Sequence, residues 1–366
     1  MIRLLGQRNI LGGGIHFGEF TDHMRKLSWI GSFVEEVDAS NLDALRSAAQ
    51  RSREGDVNVW FVRHPMWTAF KGAKVVWAIF EADSLPPDFV TPLRDLADAV
   101  WVPSRWGHDV LVASGVDSAR IDVVPEGVNP HRFHPFMRDL MSQSKRPFRF
   151  LAVGKFEERK SYRELFSAFK SIFKNDPAIQ LVVKADFFAD PKETERELQT
   201  LIDSEGLTNA QPVWGAMSSD ELLGLYSMSD ALVFPSRAEG WGLPLIEALA
   251  SGLPAITTEY SGHSEFLSTI PNYFTRINHD LEVISDPGYL RFWPGLTGSG
   301  ARWGAPNVDS ISRGMLSVFE SKEVWQQRAI EASRRIRENF SWTKAADIAY
   351  TSLTKRGLYR PVISFK

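Results

Sequence analysis

The chain has 366 residues, 43% of them hydrophobic, enough to bury a sizeable core and more comfortable as two domains than as one. Lys plus Arg number 42 against 45 Asp plus Glu, a net charge of −3 that gives no bulk attraction for nucleic acid, so any basic site must be local. With no cysteine, disulfides, thiolate metal sites and a cysteine nucleophile are excluded together, and the cytoplasm is the default compartment.

The opening MIRLLGQRN has no apolar core of signal-peptide length. No later apolar run approaches the ~20 residues of a membrane span, so the expectation is a soluble protein, at most peripheral to the inner face of a membrane. The 12 tryptophans pack a core or line a sugar surface, and composition does not choose between these.

Short apolar runs alternate with amphipathic stretches, the pattern of α/β units around buried parallel strands. IRLLGQ, SFVEEVD, VNVWFV, AKVVWAIF, AVWVPS and RIDVVPE read as strands of a first lobe. TDHMRKLSWI, NLDALRSAAQRS and RWGHDVLVASG read as its helices, the second capped by Ser40 or Asn41. The glycine-rich NILGGGIHFGEF reads as a loop after the first strand, without the spacing of a dinucleotide fingerprint. PEGVNPHRFHPFMRDLMSQSKRP breaks the alternation and is the best interdomain linker. Its cations Arg138, Lys145 and Arg146, with Arg149 beyond and Trp67 and Phe70 read as exposed, read as a solvated surface before one that touches a membrane-borne acceptor.

A second doubly wound lobe follows, with strands FRFLAVG, IQLVVKAD, QPVWGAM, ALVFPS and PAITTE. Its helices read SYRELFSAFKSIF, ETERELQTLIDSE, SDELLGLYSMS and LPLIEALASG. From about 265 to 305 the chain reads as irregular and aromatic, before helices resume. The expected division is residues 1–136, 137–340 and a last helix within 341–366 that crosses back to the first lobe.

Four stretches could carry chemistry. In SRAEGWGLPLIE, Pro244 falls where a helix takes its first turn, so the amides around Gly242, Leu243 and Leu245 make an anion site that Gly240 and Gly242 leave open. Glu239 and Glu247 then stand as ligand contacts or as solvated charges at a helix start. The strand end in a parallel sheet favours the first reading, because ligands of open α/β sheets bind there. In VGKFEERKSY, Lys155, Arg159 and Lys160 crowd a helix start that the dipole makes unfavourable for cations, which suggests a diphosphate or an ordinary basic surface neutralised by Glu157 and Glu158.

The glycines Gly12, Gly13, Gly14 and Gly18 allow close approach by a ligand, and the nearby His16 is a residue more often structural than catalytic. In VVWAIFEADSLP, Glu81 and Asp83 position an acceptor hydroxyl or cap the next helix. No H-E-x-x-H, His/Asp cluster or D-x-D pair occurs, and Asp186 and Asp190 have no further ligands, so no metal is expected.

The run ALVFPSRAEGWGLPLIEALASGLPAITTEYSGHSEFL resembles the donor-binding signature of glycosyltransferase family 4, with its E-x7-E spacing met by Glu239 and Glu247. FRFLAVGKFEERKSYRELFSAF resembles the family's phosphate-binding strand and helix, and VWVPSRWGHDVLVASGVDSARIDVVPEGVNPHRFHP its interdomain connection. The resemblance covers roughly residues 70 to 355 and implies a GT-B architecture, two Rossmann-like doubly wound domains facing a central cleft. It further implies metal-independent, retaining transfer of a sugar from a UDP- or GDP-sugar, itself a substrate and no cofactor, to a sugar or lipid-linked acceptor hydroxyl.

On that resemblance Glu247 binds the donor ribose and Glu239 the transferred sugar. Lys155 and Lys160, with Arg159, Gly240 and the amides of Gly242 and Leu243, stabilise the leaving diphosphate. The looser match at the glycine loop puts Gly13 and Gly14 near the donor, with His16 and Asp83 on the acceptor side and Glu81 at the acceptor-side catalytic position. The chain departs from the family in carrying Lys155 where an arginine is commoner, and Phe80 and Glu81 where many relatives carry a histidine. A nucleotide-sugar epimerase, a glycoside hydrolase using Glu239 and Glu247, and a non-catalytic nucleotide-sugar-binding module are the rival readings.

Overall fold

A computed structural model describes residues 1–9, 11–27, 33–61, 64–136, 146–186 and 191–360. The chain separates into two compact units, one of Met1–Phe80, Ser84–Gly127 and Phe340–Lys366, the other of Glu81–Asp83 and Val128–Asn339.

The first unit is built on a six-stranded sheet in the order β2-β1-β3-β4-β5-β6. Its strands are β1 (Ile2–Gly6), β2 (Val34–Asp38), β3 (Val57–Trp60), β4 (Ala73–Trp77), β5 (Ala99–Val102) and β6 (Ile121–Val123), all parallel. β1, β3 and β5 are buried along their whole length, as strands covered on both faces must be. Asn41 caps the helix Leu42–Arg51, its side chain accepting from the amides of Asp43 and Ala44.

The glycine-rich stretch departs from the expected loop: Gly12 to Gly14 form the first turn of the helix Gly12–Lys26. Asn9 turns the chain into it by accepting from the Leu11 amide at 2.9 Å. Gly14 must lack a side chain, since a Cβ there would lie 2.2 Å from Asn9 Oδ1, whereas one at Gly13 would meet nothing within 4 Å. A further helix, Pro87–Asp95, was hidden in the sequence by its internal Pro92.

The last helix, Trp342–Lys355, packs in this first unit. Ser352 Oγ accepts from Trp101 Nε1 at 2.8 Å and donates to Asp122 Oδ2 at 2.6 Å, and Arg356 holds both oxygens of Asp122.

The second unit has its own six-stranded sheet in the order β12-β11-β10-β7-β8-β9. It comprises β7 (Phe148–Lys155), β8 (Ile179–Asp186), β9 (Ala210–Pro212), β10 (Ala231–Phe234), β11 (Ala255–Thr258) and β12 (Thr275–Ile277), again all parallel. Phe150, Phe166, Phe169, Leu181 and Val233 are buried in its core. Of the linker cations, Arg146 is tied to Asp230 Oδ2 at 2.5 Å, which also accepts from the Arg149 amide at 2.8 Å. Arg138, Lys145 and Asp190 lie outside the described residues, and Trp67 and Phe70, expected at the surface, are instead buried against Trp60 in the first unit.

The stretch read as irregular contains β12 and an antiparallel hairpin of β13 (His279–Val283) and β14 (Arg302–Pro306). The sequence concealed the hairpin because β13 is mostly exposed and the apolar signal falls on β14. Among the described residues no helix is long and apolar enough to cross a membrane.

Candidate functional site

Three strand ends of the second unit converge. β7 closes at Lys155 and runs into a 3-10 turn, Glu158–Lys160, after which Ser161 takes a left-handed conformation with φ 56° before the helix Tyr162–Phe173. β10 runs into Ser236 and the acidic turn, and β11 runs into Ser261, Gly262 and His263.

The acidic turn ends at Gly242, whose φ of 96° requires glycine, and the helix Leu243–Ala250 starts with Pro244 in its first turn. The amide of Leu245 is spent on Gly242 O at 3.0 Å, so it is not one of the amides left for an anion. The turn is braced from the next strand end: Glu239 N donates to Ser261 Oγ at 2.8 Å and Gly262 N to Glu239 O at 2.9 Å. A Cβ on Gly262 would fall 1.9 Å from Gly240 O, so these two loops approach as closely as they do only because Gly262 carries no side chain.

Glu239 is the hub. One carboxylate oxygen takes both the Lys160 ammonium and the Ser236 hydroxyl. The other lies 3.1 Å from Arg159 Nη1, which also donates to Ala238 O at 2.6 Å. Lys160 lies alongside Gly154 and over the Phe234 ring, and Arg159 reaches Glu157 at 3.0 Å. Glu239, Lys160 and Arg159 are all buried. Burial pushes the Glu239 carboxyl up, but the Lys160 and Arg159 charges outweigh it and bring it down to about 2, so it stays ionised. Burial also lowers the Lys160 ammonium from its ordinary value, with Glu239 opposing that loss.

Glu247, on the inner side of the helix, is buried and accepts from Tyr226 Oη at 3.1 Å. His263 is buried and held down to about 4 by burial, so it is neutral; its Nε2–H donates to Thr258 O at 2.7 Å, an acceptor that fixes the tautomer.

Lys155 stands at the edge, about half exposed, 3.6 Å from Glu157. Glu81 Oε1 lies 3.9 Å from Arg159 Nη2, and Asp83 is occupied by Arg302, through its amide at 2.6 Å and its Nε at 2.8 Å. The structure thus brings together Arg159, Lys160, Glu239, Glu81, Gly240, Gly242 and Leu243 in one unit, with Glu247 on the same helix. Gly13, Gly14 and His16 belong to the other. His16 is a packed core ring there, 1% exposed, set edge-on to Trp77 at 4.2 Å and stacked on Trp342 at 5.6 Å, with Nδ1 3.9 Å from the buried Glu126.

Ser236, Ser261, Tyr226 and Arg237 are the participants that sequence reasoning passed over. Arg237 is buried and holds Glu164 and, at 3.1 Å, Glu282. Ser236 and Ser261 stood within the run that carries the family resemblance, whereas Tyr226 had no signal of its own. Among the described residues no three His, Asp or Glu side chains cluster as metal ligands.

Residues 138–270 match the family model of the glycosyl transferases group 1. The chain is 28% identical over 163 residues to mannosylfructose-phosphate synthase of Agrobacterium fabrum, covering 42% of this chain and 36% of that protein. It is 25% identical to glycogen synthase of Mycobacterium tuberculosis, over 82% of this chain and 62% of that one, so it spans less than two thirds of either relative. Among solved structures, Anabaena HepE in complex with UDP and glucose superimposes with a TM-score of 0.69 at 13% identity, over 97% of this chain and 99% of the other. Sucrose-phosphate synthase from Thermosynechococcus elongatus gives 0.69 at 15% identity, over 98% of each chain. The fold is GT-B, two Rossmann-like units each with its own parallel sheet.

Proposed function

We propose that the protein is a retaining glycosyltransferase that moves a sugar from a nucleotide diphosphate sugar to an acceptor hydroxyl, on a sugar or a lipid-linked glycan, in carbohydrate biosynthesis. The observation that carries this reading is the convergence of Lys160 and Arg159 on Glu239, at the start of the helix that carries Glu247. The matching family model and the names of the relatives support it.

Breaking the bond from the anomeric carbon to the phosphate oxygen places positive charge on the sugar and negative charge on the diphosphate. Lys160 has three N–H donors, and its bond to Glu239 leaves others for a phosphate oxygen. The N-terminus of the helix Leu243–Ala250 adds its dipole and the amides of Gly242 and Leu243. These fixed groups favour charge where it develops, which lowers the barrier without reorganisation. Glu247, held by Tyr226, takes the ribose hydroxyls, and the ionised Glu239 takes a hydroxyl of the sugar. Lys155 supplies a further cation at the edge, and the reaction proceeds without a metal ion.

A glycoside hydrolase built on Glu239 and Glu247 is disfavoured, because Glu239 is committed to Lys160 and Arg159 and the proposed anion-binding turn lies between it and Glu247, where such a pair must flank the scissile bond. Calorimetric titration with UDP, GDP and ADP tests the donor site. Micromolar binding of one base, weakened in Glu247→Gln, is expected; no binding of any nucleotide by the folded protein contradicts the reading. The anomeric configuration of the product, read by NMR, tests retention.

A further inference from the structure

The β13–β14 hairpin lies outside the parallel sheet, yet it is built onto the acidic turn. Gly304 N donates to Arg237 O at 3.0 Å, and Arg237 reaches Glu282 on β13. Gly304 also has no room for a side chain, since a Cβ would lie 2.8 Å from the His279 ring and 3.0 Å from Tyr260. Between the two strands the chain folds over a small core of its own, in which Ile284, Leu296, Ala301 and Trp303 meet Ala82 and Ala238.

This element grips the segment Glu81–Asp83, which belongs to the same compact unit. Trp303 Nε1 donates to the Glu81 carbonyl at 2.7 Å, and Arg302 occupies Asp83 through its amide and its guanidinium. The Glu81 backbone is therefore fixed, and one freedom remains, the swing of its carboxylate. The Tyr289 hydroxyl removes it by donating to Glu81 Oε2 at 3.4 Å, while Oε1 faces Arg159 at 3.9 Å. Tyr289 is itself held edge-on against Trp303, with ring centroids 4.8 Å apart.

A carboxylate offers about four lone-pair sites. Tyr289 uses one, Arg159 sits beyond hydrogen-bond distance, and the Glu81 side chain keeps 24% of its surface exposed. Acceptor capacity is thus left over next to the Arg159–Glu239 pair, at a group whose direction the hairpin sets.

We propose that Tyr289 is a positioning residue, and that it and the β13–β14 hairpin aim the remaining lone pairs of Glu81 at a hydroxyl of the sugar carried by the nucleotide. This rests on the donor site proposed above. It makes the hairpin a second element, beside Glu239, that reads the sugar, separate from the helix Leu243–Ala250, which holds the nucleotide.

The test compares affinities by calorimetry for UDP with UDP-glucose and for GDP with GDP-mannose, in the intact chain and in Tyr289→Phe, Glu81→Gln and the double variant. A hydroxyl-to-carboxylate contact is expected to make the sugar nucleotide bind about tenfold tighter in the wild type than in Glu81→Gln. Tyr289→Phe is expected to lose roughly three- to tenfold for the sugar nucleotide with the free nucleotide unchanged, and the double variant no more than Glu81→Gln alone. A merely structural tyrosine would shift both affinities equally or neither. Unchanged sugar-nucleotide affinity in Tyr289→Phe, or equal losses for nucleotide and sugar nucleotide, overturns the inference while leaving the donor site standing. Failure of the wild type to bind any of the four ligands, or ADP and ADP-glucose, removes the donor site as well.

Discussion

Lys160 and Glu239 form a buried ion pair that joins the turn after β7 to the turn after β10, and Arg159 closes the same carboxylate from its other oxygen. The arrangement is asymmetric, with two cations sharing one anion. Removing the anion takes from the buried Lys160 its ion-pair partner and leaves Arg159 with Glu157, whereas removing Lys160 leaves Glu239 still paired with Arg159. Breaking a buried pair by deleting one partner costs ~3–5 kcal/mol. Glu239→Ala is therefore expected to reach that range in urea unfolding and Lys160→Ala to fall clearly below it; equal losses would show that Arg159 does not serve the carboxylate.

The buried His16 and Glu126 predict an acid and an alkaline limb of stability. Burial lowers His16 to about 3 and raises Glu126 to about 8, so both are neutral between those values and the contact is no ion pair. Unfolding frees His16 to bind a proton below its ordinary 6.5, so stability falls as pH drops through that value. Unfolding frees Glu126 to release a proton above its ordinary 4.5, so stability also falls as pH rises from 4.5 towards 8. Glu126→Gln should remove the second loss alone. Its Tm relative to wild type is expected to rise steadily from pH 5 to pH 8, and a constant difference across that range would refute the assignment.

Gly262 is a steric test of the turn. A methyl group there cannot coexist with Gly240 O at 1.9 Å, so Gly262→Ala must separate the loop after β11 from the acidic turn. Overpacking of this kind costs ~1–3 kcal/mol. Because the acidic turn it presses on leads into the proposed phosphate amides of Gly242 and Leu243, nucleotide affinity should fall by more than tenfold in calorimetry, while Gly13→Ala, with open space around it, should leave stability within ~0.5 kcal/mol.

The two parallel sheets were legible because strands covered on both faces read as continuous apolar runs, and β1, β3, β5 and β10 are buried throughout. The acidic turn was legible because glycines and a proline mark a helix start by local rules. The glycine-rich stretch misled, since three glycines read as a loop while Asn9 and Leu11 commit them to a helix. Tyr289 was illegible for a different reason: it lies 208 residues from Glu81, in a hairpin whose first strand is mostly exposed, so no local pattern joins the two. Tyr226 and Ser261 are likewise ordinary hydroxyl residues until the topology sets them against Glu247 and Glu239.

The proposed electrostatics contain no metal ion, since Lys160, Arg159 and the helix N-terminus are assigned the leaving-group charge. Sugar transfer in millimolar EDTA should therefore match the untreated rate. A loss restored by magnesium or manganese would show that these groups do not suffice.

The central claim, nucleotide-sugar cleavage at the Lys160–Glu239 site, is tested most directly by nucleoside diphosphate release. UDP-, GDP- and ADP-linked glucose and mannose would be incubated with wild type and Lys160→Ala, with simple sugars offered as acceptors. The account predicts release from at least one base class by the wild type, and a rate lower by about 10²- to 10³-fold in Lys160→Ala at unchanged fold, the usual cost of removing one preorganised charge-stabilising donor. No release from any donor by the folded wild type, or an undiminished rate in Lys160→Ala, would contradict it.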